Sequence, residues 1–287
     1  MKLPNHGKSK AVSMNTEIQS ESLDVSVVIP TNRIDSWLVL SVESILKQQG
    51  ITFELILYLD GVVLPAESTW QDDPRIRIVK GERSQGVGFA LKSACERATG
   101  RYIARLDSDD IALPDRLRTQ AHYLDEHPDT VAVSGLAAWV NDAGERIGEF
   151  GHKPGHDVRR KLLEQNAVVQ SAVMFRRDVY VEVGGYSTMR QMEDYDLWLR
   201  LAMRGKIATL DEMVVEYRIH DNQVSRGVHP RGPYLKAVFR GRRTLASQLG
   251  ATRISQAARD VAFDTALYMM YYLPPSMIRR IRTLVSK

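Results

Sequence analysis

The sequence predicts an α/β fold built on a mostly parallel sheet flanked by helices. Two observations predict it. Short β-branched or apolar runs alternate with segments of helical spacing, in the order strand, helix, strand, strand, helix, strand. Three of those runs end at Pro30, Asp60 and Asp107. In such sheets ligands sit outside the carboxyl ends of the strands, so three strands deliver their last residues to one rim.

The elements follow in order. "VSVVIP" (Val25–Pro30) is a short buried strand stopped by proline. Ser36–Gly50 carries Leu38, Val42, Ile45 and Leu46 at helical spacing and closes on glycine. Phe53–Gly61 is a second strand, and "RIRIV" (Arg75–Val79) alternates as a third. Gly86–Gly100 reads as a helix and Arg101–Asp107 as a fourth strand. Pro114 suits the first turn of a helix over Asp115–Glu126. Thr130–Val140 is a strand turned by "NDAG", Ser171–Arg177 a further strand, and Glu193–Gly205 a helix with acids in its first turn. "MVVEY" is strand-like.

Bulk composition bounds the function. The 287 residues are 44% hydrophobic and 26% charged, ordinary for a globular chain. Cys95 stands alone, so no internal disulfide forms. Residues 1–23 read as a disordered polar lead-in without the apolar segment of a secretory signal. No apolar run approaches the roughly 18 residues of a membrane span. The net charge of +4 hides an asymmetry: residues 226–287 hold twelve Lys and Arg against Asp260 and Asp264, a balance of +10, which leaves −6 elsewhere. A nucleic-acid binder is disfavoured, because the basic charge is confined to the tail and no recognition module appears.

The chemistry concentrates in "ARLDSDDIALPDRL". Asp107 and Asp109 are two apart at a strand end, a spacing that points both side chains one way. Two carboxylates facing one spot suit a hard divalent cation that also holds phosphate. The calcium-loop pattern fails at Ile111 and Ala112. The plainer alternative is an acidic turn before a helix, with Asp110 as a local cap.

Four stretches in register, "VSVVIPTNR", "ELILYLDG", "SQGVGFALKSACERATGRYIARLDSDD" and "EDYDLWLRLAMRG", resemble the family-2 glycosyltransferases. The resemblance implies a GT-A fold over residues 24–225, a Rossmann-like mostly parallel sheet, followed by a basic helical C-terminal extension over 226–287. It implies an inverting sugar transfer from a nucleotide-sugar, UDP by default, with Mn²⁺ or Mg²⁺ as cofactor. Pro30, Thr31 and Arg33 match the first nucleotide-contacting loop, and Asp60 the acid that binds the base. Leu59 stands where many members carry another acid, and Gln85-Gly86 where Asn-Gly is common. Asp107, Ser108 and Asp109 match the D-x-D motif, with Asp107 and Asp109 as metal ligands.

Glu193 and Asp194 match the catalytic acidic pair: Asp194 as the base, Glu193 orienting the acceptor. Acids in any first helical turn are also favoured by the dipole. Trp198, four residues on, reads as core. In "VEYRIHDNQVS", His220 matches a metal or diphosphate contact, with Arg218 as a phosphate partner. The resemblance also implies a glycan or lipid-linked acceptor in surface polysaccharide synthesis, and a cytoplasmic enzyme at the inner face of the membrane. The tail segment "YMMYYLPPSMIRRIRTLVSK" places basic residues beside an apolar helical face, suited to an anionic membrane, to packing on the catalytic domain or to a homodimer. A nucleotidyltransferase and a non-catalytic sugar- or nucleotide-binding domain are the rival readings. The first would want a glycine-rich basic loop after "VSVVIP", which is absent.

Overall fold

The structure, a computed structural model, describes residues 23–65, 70–151, 154–221, 223 and 232–272. Nine strands among them form one sheet. Its first half is β1 (Val25–Thr31), β2 (Phe53–Asp60), β3 (Ile76–Gly81) and β4 (Tyr102–Arg105), ordered β3-β2-β1-β4 and parallel throughout. The connecting helices are α1 (Ser36–Leu46) and α2 (Val87–Cys95). Period-2 alternation on β1 sends Val25, Val27 and Ile29 to one face and Val28 to the other, and all four are fully buried. α1 packs with the first set, as does α3 (Arg116–Glu126). α2 packs with the second set, as does α6 (Glu193–Ala202). The result is a sheet covered on both faces.

The second half carries the active-site elements. β5 is Ile111–Ala112, β6 Thr130–Val140, β7 Arg146–Phe150, β8 Met174–Arg176 and β9 Lys206–Arg218. β8 runs antiparallel to both β4 and β6 and so joins the halves. β9 lies parallel to β6 and antiparallel to β5, and β7 forms a hairpin on β6 through the expected "NDAG" turn. β9 is much longer than "MVVEY" suggests. Its apolar run is broken by exposed Asp211 and Glu212, at a register shift against β6, so its periodicity is interrupted in the sequence. The helix after Pro114 starts at Arg116, with Asp115 left-handed at the cap. Trp198 is fully buried beside Phe175 and Tyr186, as core.

Two short helices, α4 (Arg159–Leu162) and α5 (Arg177–Glu182), precede α6. α7 (Gly232–Gln248) and α8 (Arg253–Tyr272) follow β9 and lie against the domain. Val238, Leu245 and Ala246 of α7 share one core with Leu197, Leu199 and Leu201 of α6. Arg242 is fully buried there: it donates to the Leu163 carbonyl, pairs with Asp260 at 3.3 Å and lies over the Phe263 ring. The chain boundary expected near residue 225, the lead-in before Leu23 and the apolar–basic segment 273–287 lie outside the described residues.

Arg242→Ala leaves Asp260 buried with the outer Arg243 as its remaining ion-pair partner and Gln256 Nε2 as a neutral donor. Removing one member of a buried ion pair costs on the order of 3 kcal/mol. Urea unfolding should show one cooperative transition at a lower midpoint. An unchanged midpoint would mean that α7 and α8 add nothing to the stability of the domain.

Candidate active site

The carboxyl ends of β1, β2 and β4 meet at one rim, as the parallel register requires. Beyond Arg105 the chain leaves β4 under close control. Leu106 N–H still donates to Val28, Asp107 N–H donates to the Ser171 hydroxyl at 2.9 Å, and the Ser41 hydroxyl donates to the Asp107 carbonyl at 2.9 Å. Residues 108 and 109 then turn, with Asp110 N–H returning to the Asp107 carbonyl. Asp107 and Asp109 therefore converge through a turn and not through strand alternation. The turn also brings in Asp110. Ligand oxygens of Asp107, Asp109 and Asp110 all lie within 4.8 Å of one another.

Each carboxylate has its own partner. Asp107 is ion-paired with Arg105, which is only 1% exposed. Asp109 Oδ2 accepts from Arg33 Nη2 at 2.8 Å and lies 2.9 Å from His220 Nε2. Asp110 Oδ1 accepts the Arg218 backbone N–H at 2.8 Å, while Oδ2 is buried with no hydrogen-bond partner among the described residues. Burial pushes the Asp107 carboxyl up against the pull of Arg105. Burial first, and then Asp107 and Asp109, push Asp110 well above the usual carboxylate range. Crowded, desolvated carboxyls with a spare buried oxygen fit a divalent cation by the chemistry of their donor set.

Two cavities adjoin this turn. One, of about 330 Å³, reaches over the ends of β1 and β2 and is lined by Pro30, Thr31, Arg33, Asp60, Gly86 and Ser108 among others. The other, of about 380 Å³, runs toward α6 and is lined by Arg105, Asn166, Gln170, Glu193, Asp194 and Tyr217 among others. Asp107, Asp109 and Arg190 line both.

Most of the residues expected from the sequence come together here, but four are placed differently. Asp60 accepts from the Ser84 hydroxyl and from the Gln85 and Gly86 N–H groups, so its carboxylate shapes the loop before α2. The Gln85 side chain lines a separate hollow beside Arg83 and Phe89. Arg218 is buried, and its guanidinium donates to the carbonyls of Asp109, Asn141 and Asp142, where a phosphate role had been expected. His220, expected as a metal ligand, touches the acidic group through Asp109 and packs against Trp37 with ring centroids 4.8 Å apart.

Across the larger cavity, Glu193 and Asp194 open α6. Met192, before them, holds a left-handed φ of 60°. Glu193 is buried, and burial plus the neighbouring Asp194 push its carboxyl up to about 8. Gln170 Nε2 approaches Glu193 Oε1 at 3.4 Å. Asp194 is half-buried and also raised by burial, but it accepts from Asn166 Nδ2 at 2.7 Å and from the Tyr195 N–H at 2.6 Å. Asn166, Gln170, Arg105 and Arg190 went unremarked in the sequence, where single polar residues carry no pattern. Asp110 stood in plain view beside the motif.

Residues 26–184 match the model of glycosyl transferase family 2. The chain belongs to that family. It is a glycosyltransferase, and relatives agree across most of its length. It is 32% identical over 211 residues to the O-antigen biosynthesis glycosyltransferase WbnJ of Escherichia coli, covering 70% of this chain and 82% of that protein. It is 28% identical to the amylovoran biosynthesis glycosyltransferase AmsE of Erwinia amylovora, covering 83% of this chain and 86% of the other. Among solved structures, S. aureus TarS 1-349 in complex with UDP-GlcNAc superposes with a TM-score of 0.65 at 15% identity, over 87% of this chain and 73% of that one. The family-2 chain thus has the GT-A fold.

The raised Glu193 gives a pH signature. An acid whose folded pKa lies above its unfolded value of 4.5 favours folding below pH 4.5, and that advantage is lost as pH rises toward 8. The melting temperature of the native chain minus that of Glu193→Gln, measured in EDTA, should therefore fall between about pH 4.5 and 8 and level off above. A flat difference would mean that Glu193 titrates normally.

Proposed function

We propose that this glycosyltransferase moves a sugar from a nucleotide-sugar to a hydroxyl acceptor with inversion, assisted by a divalent cation. The observation that carries the reading is the pairing of two acidic groups across one cavity, Asp107 and Asp109 on one wall, with buried Asp110 beside them, and Glu193 and Asp194 on the other. Asp107 and Asp109, with Asp110 beside them, would hold Mn²⁺ or Mg²⁺. When bound, that ion supplies Lewis-acid neutralisation of the leaving diphosphate. His220 and Arg33 hold Asp109 in place. Pro30, Thr31, Arg33 and Ser108 border the smaller cavity, which suits the nucleoside; Asp60 and Gly86 shape its wall.

Asp194 is the base. Its two accepted hydrogen bonds favour the ionised form against the pull of burial, whereas Glu193, pushed up to about 8 by burial and by Asp194, is the poorer base of the two at neutrality. Protonated Glu193 instead orients the acceptor. By their names one relative acts in O-antigen biosynthesis and the other in amylovoran biosynthesis, and TarS 1-349 was solved with UDP-GlcNAc. These support a UDP-sugar donor and a glycan or lipid-linked acceptor. The non-catalytic rival has no use for an oriented acid pair, Glu193 buried and Asp194 half-buried, facing the metal-type site.

Contact with an anionic membrane belongs to the same reading. No helix among the described residues is long and apolar enough to cross a membrane. α8, however, exposes Ile254, Val261 and Tyr268 (85%, 67% and 58%) at heptad spacing on one side. Lys236, Arg240, Arg243 and Arg253 line a neighbouring groove of about 810 Å³. Apolar residues beside cations suit a lipid surface.

A panel of nucleotide-sugars with Mn²⁺ should give hydrolysis or transfer from one donor, lost in EDTA and in Asp109→Asn. Asp194→Asn should keep donor affinity and lower turnover by at least about 10²-fold. Lost affinity with retained turnover would place the base elsewhere.

Co-sedimentation at low salt should show binding to anionic but not neutral vesicles, weakened when residues 274–287 are removed. Each cation adds about 1 kcal/mol, screened by salt. Equally negligible binding to both vesicle types would leave packing as the role of the tail.

A further inference from the structure

Of the glycines that open α2, Gly86 serves its left-handed φ of 93° and Gly88 is explained by packing. A Cβ on Gly88 would stand 2.1 Å from the Met189 carbonyl oxygen and 2.7 Å from that of Ser187. These are backbone atoms, so the segment 187–189 lies on the first turn of α2 at a distance that only glycine allows. At its other end, Met192 is held left-handed immediately before α6, a conformation that costs a non-glycine residue energy and persists only where the surroundings impose it. Between these two fixed points lies Arg190. Its side chain runs beside Gly86, where a Cβ would meet Arg190 Cγ at 3.5 Å.

Three arginines line the two cavities. Arg33 is bound to Asp35 and Asp109, and Arg105 to Asp107. Arg190 makes no ion pair among the described residues, yet it lines both cavities with Asp107 and Asp109. An uncommitted guanidinium thus faces the seam where a nucleoside on one side and a sugar on the other would be joined. A guanidinium keeps its charge at any working pH and matches phosphate oxygens with paired N–H donors.

We propose that Arg190 binds the diphosphate of the donor and stabilises the charge that it gains on leaving; this rests on the nucleotide-sugar reading above. In the transfer, Asp194 takes the acceptor hydroxyl proton and the acceptor oxygen bonds to the anomeric carbon. The bond from that carbon to the terminal diphosphate oxygen breaks, and the electron pair stays on that oxygen. The diphosphate gains one negative charge at Arg190, which therefore interacts more strongly with the transition state than with the ground state.

The test compares Arg190→Gln and Arg190→Lys with the unaltered full chain, with Mn²⁺ present. Calorimetry uses UDP and UMP, or the GDP/GMP or dTDP/dTMP pair if the donor panel selects that base. The two nucleotides share base, ribose and first phosphate, so their ratio isolates the second phosphate. Arg190→Gln should weaken the diphosphate about 10- to 100-fold, the range of a hydrogen bond to a charged group. It should leave the monophosphate within about threefold and lower kcat for donor cleavage at least about tenfold. Arg190→Lys should recover part of both. Equal weakening of both nucleotides, or unchanged diphosphate affinity and kcat, overturns the assignment of Arg190 and leaves the donor reading standing. No binding of any nucleoside diphosphate by the unaltered chain overturns the donor reading itself, and this inference with it.

Discussion

Three carboxylates within 4.8 Å of one another set the terms for everything around them. Two like charges about 4 Å apart repel by about 4 kcal/mol near a protein surface, and a whole domain is stable by only about 5–15 kcal/mol. The turn at Asp107–Asp110 exists because other elements answer each charge. Arg105 comes from β4, Arg33 from the loop after β1, His220 and the Arg218 amide from the end of β9. The backbone is pinned by Ser41 of α1 and Ser171 of the 3-10 turn Gln170–Ala172. These contributors are far apart in sequence, so the site is assembled only when both halves of the sheet have closed.

That constraint accounts for polar residues inside an apolar core. Arg116 is buried and donates to the carbonyls of Arg105 and Val173, where β4 gives out. Gln120, one turn on, receives Arg116 Nε and donates to the carbonyls of Val133 and Ala172. The sheet is interrupted there to release the acidic turn, and the freed carbonyls need donors. Burial lowers Arg116 to about 9, the mark of a cation kept for its hydrogen bonds in a place hostile to charge.

The legible part of the fold is the part written in period. β1, α1, β2 and α2 announce themselves because one face of each is apolar at regular spacing. β5 is two residues long, too short to show a period, β8 is only the last part of the strand expected over Ser171–Arg177, and β9 hides behind exposed Asp211 and Glu212. The site divides in the same way. Asp107, Asp109, Glu193 and Asp194 form pairs, and pairs are visible in a sequence. Asn166, Gln170 and Arg190 act singly, and tertiary packing alone brings them to the cavity. Arg218 shows the converse: its place beside His220 suggested a phosphate contact, while its partners turned out to be three main-chain carbonyls.

Arg105 links the two acidic groups. It is buried beneath the cavity, pairs with Asp107, and is also the nearby cation that pulls down both Glu193 and Asp194 against their burial. One guanidinium thus supports the ion-holding wall and the proton-handling wall. The two walls share a low-dielectric space, where charge on one is felt on the other. Positive charge added at Asp107 and Asp109 adds to the pull of Arg105 and favours ionised Asp194; negative charge brought in by a diphosphate works the other way. The walls are therefore one electrostatic unit, and the carboxyl of Glu193, pushed up to about 8 by burial and by Asp194, is one element with room to respond.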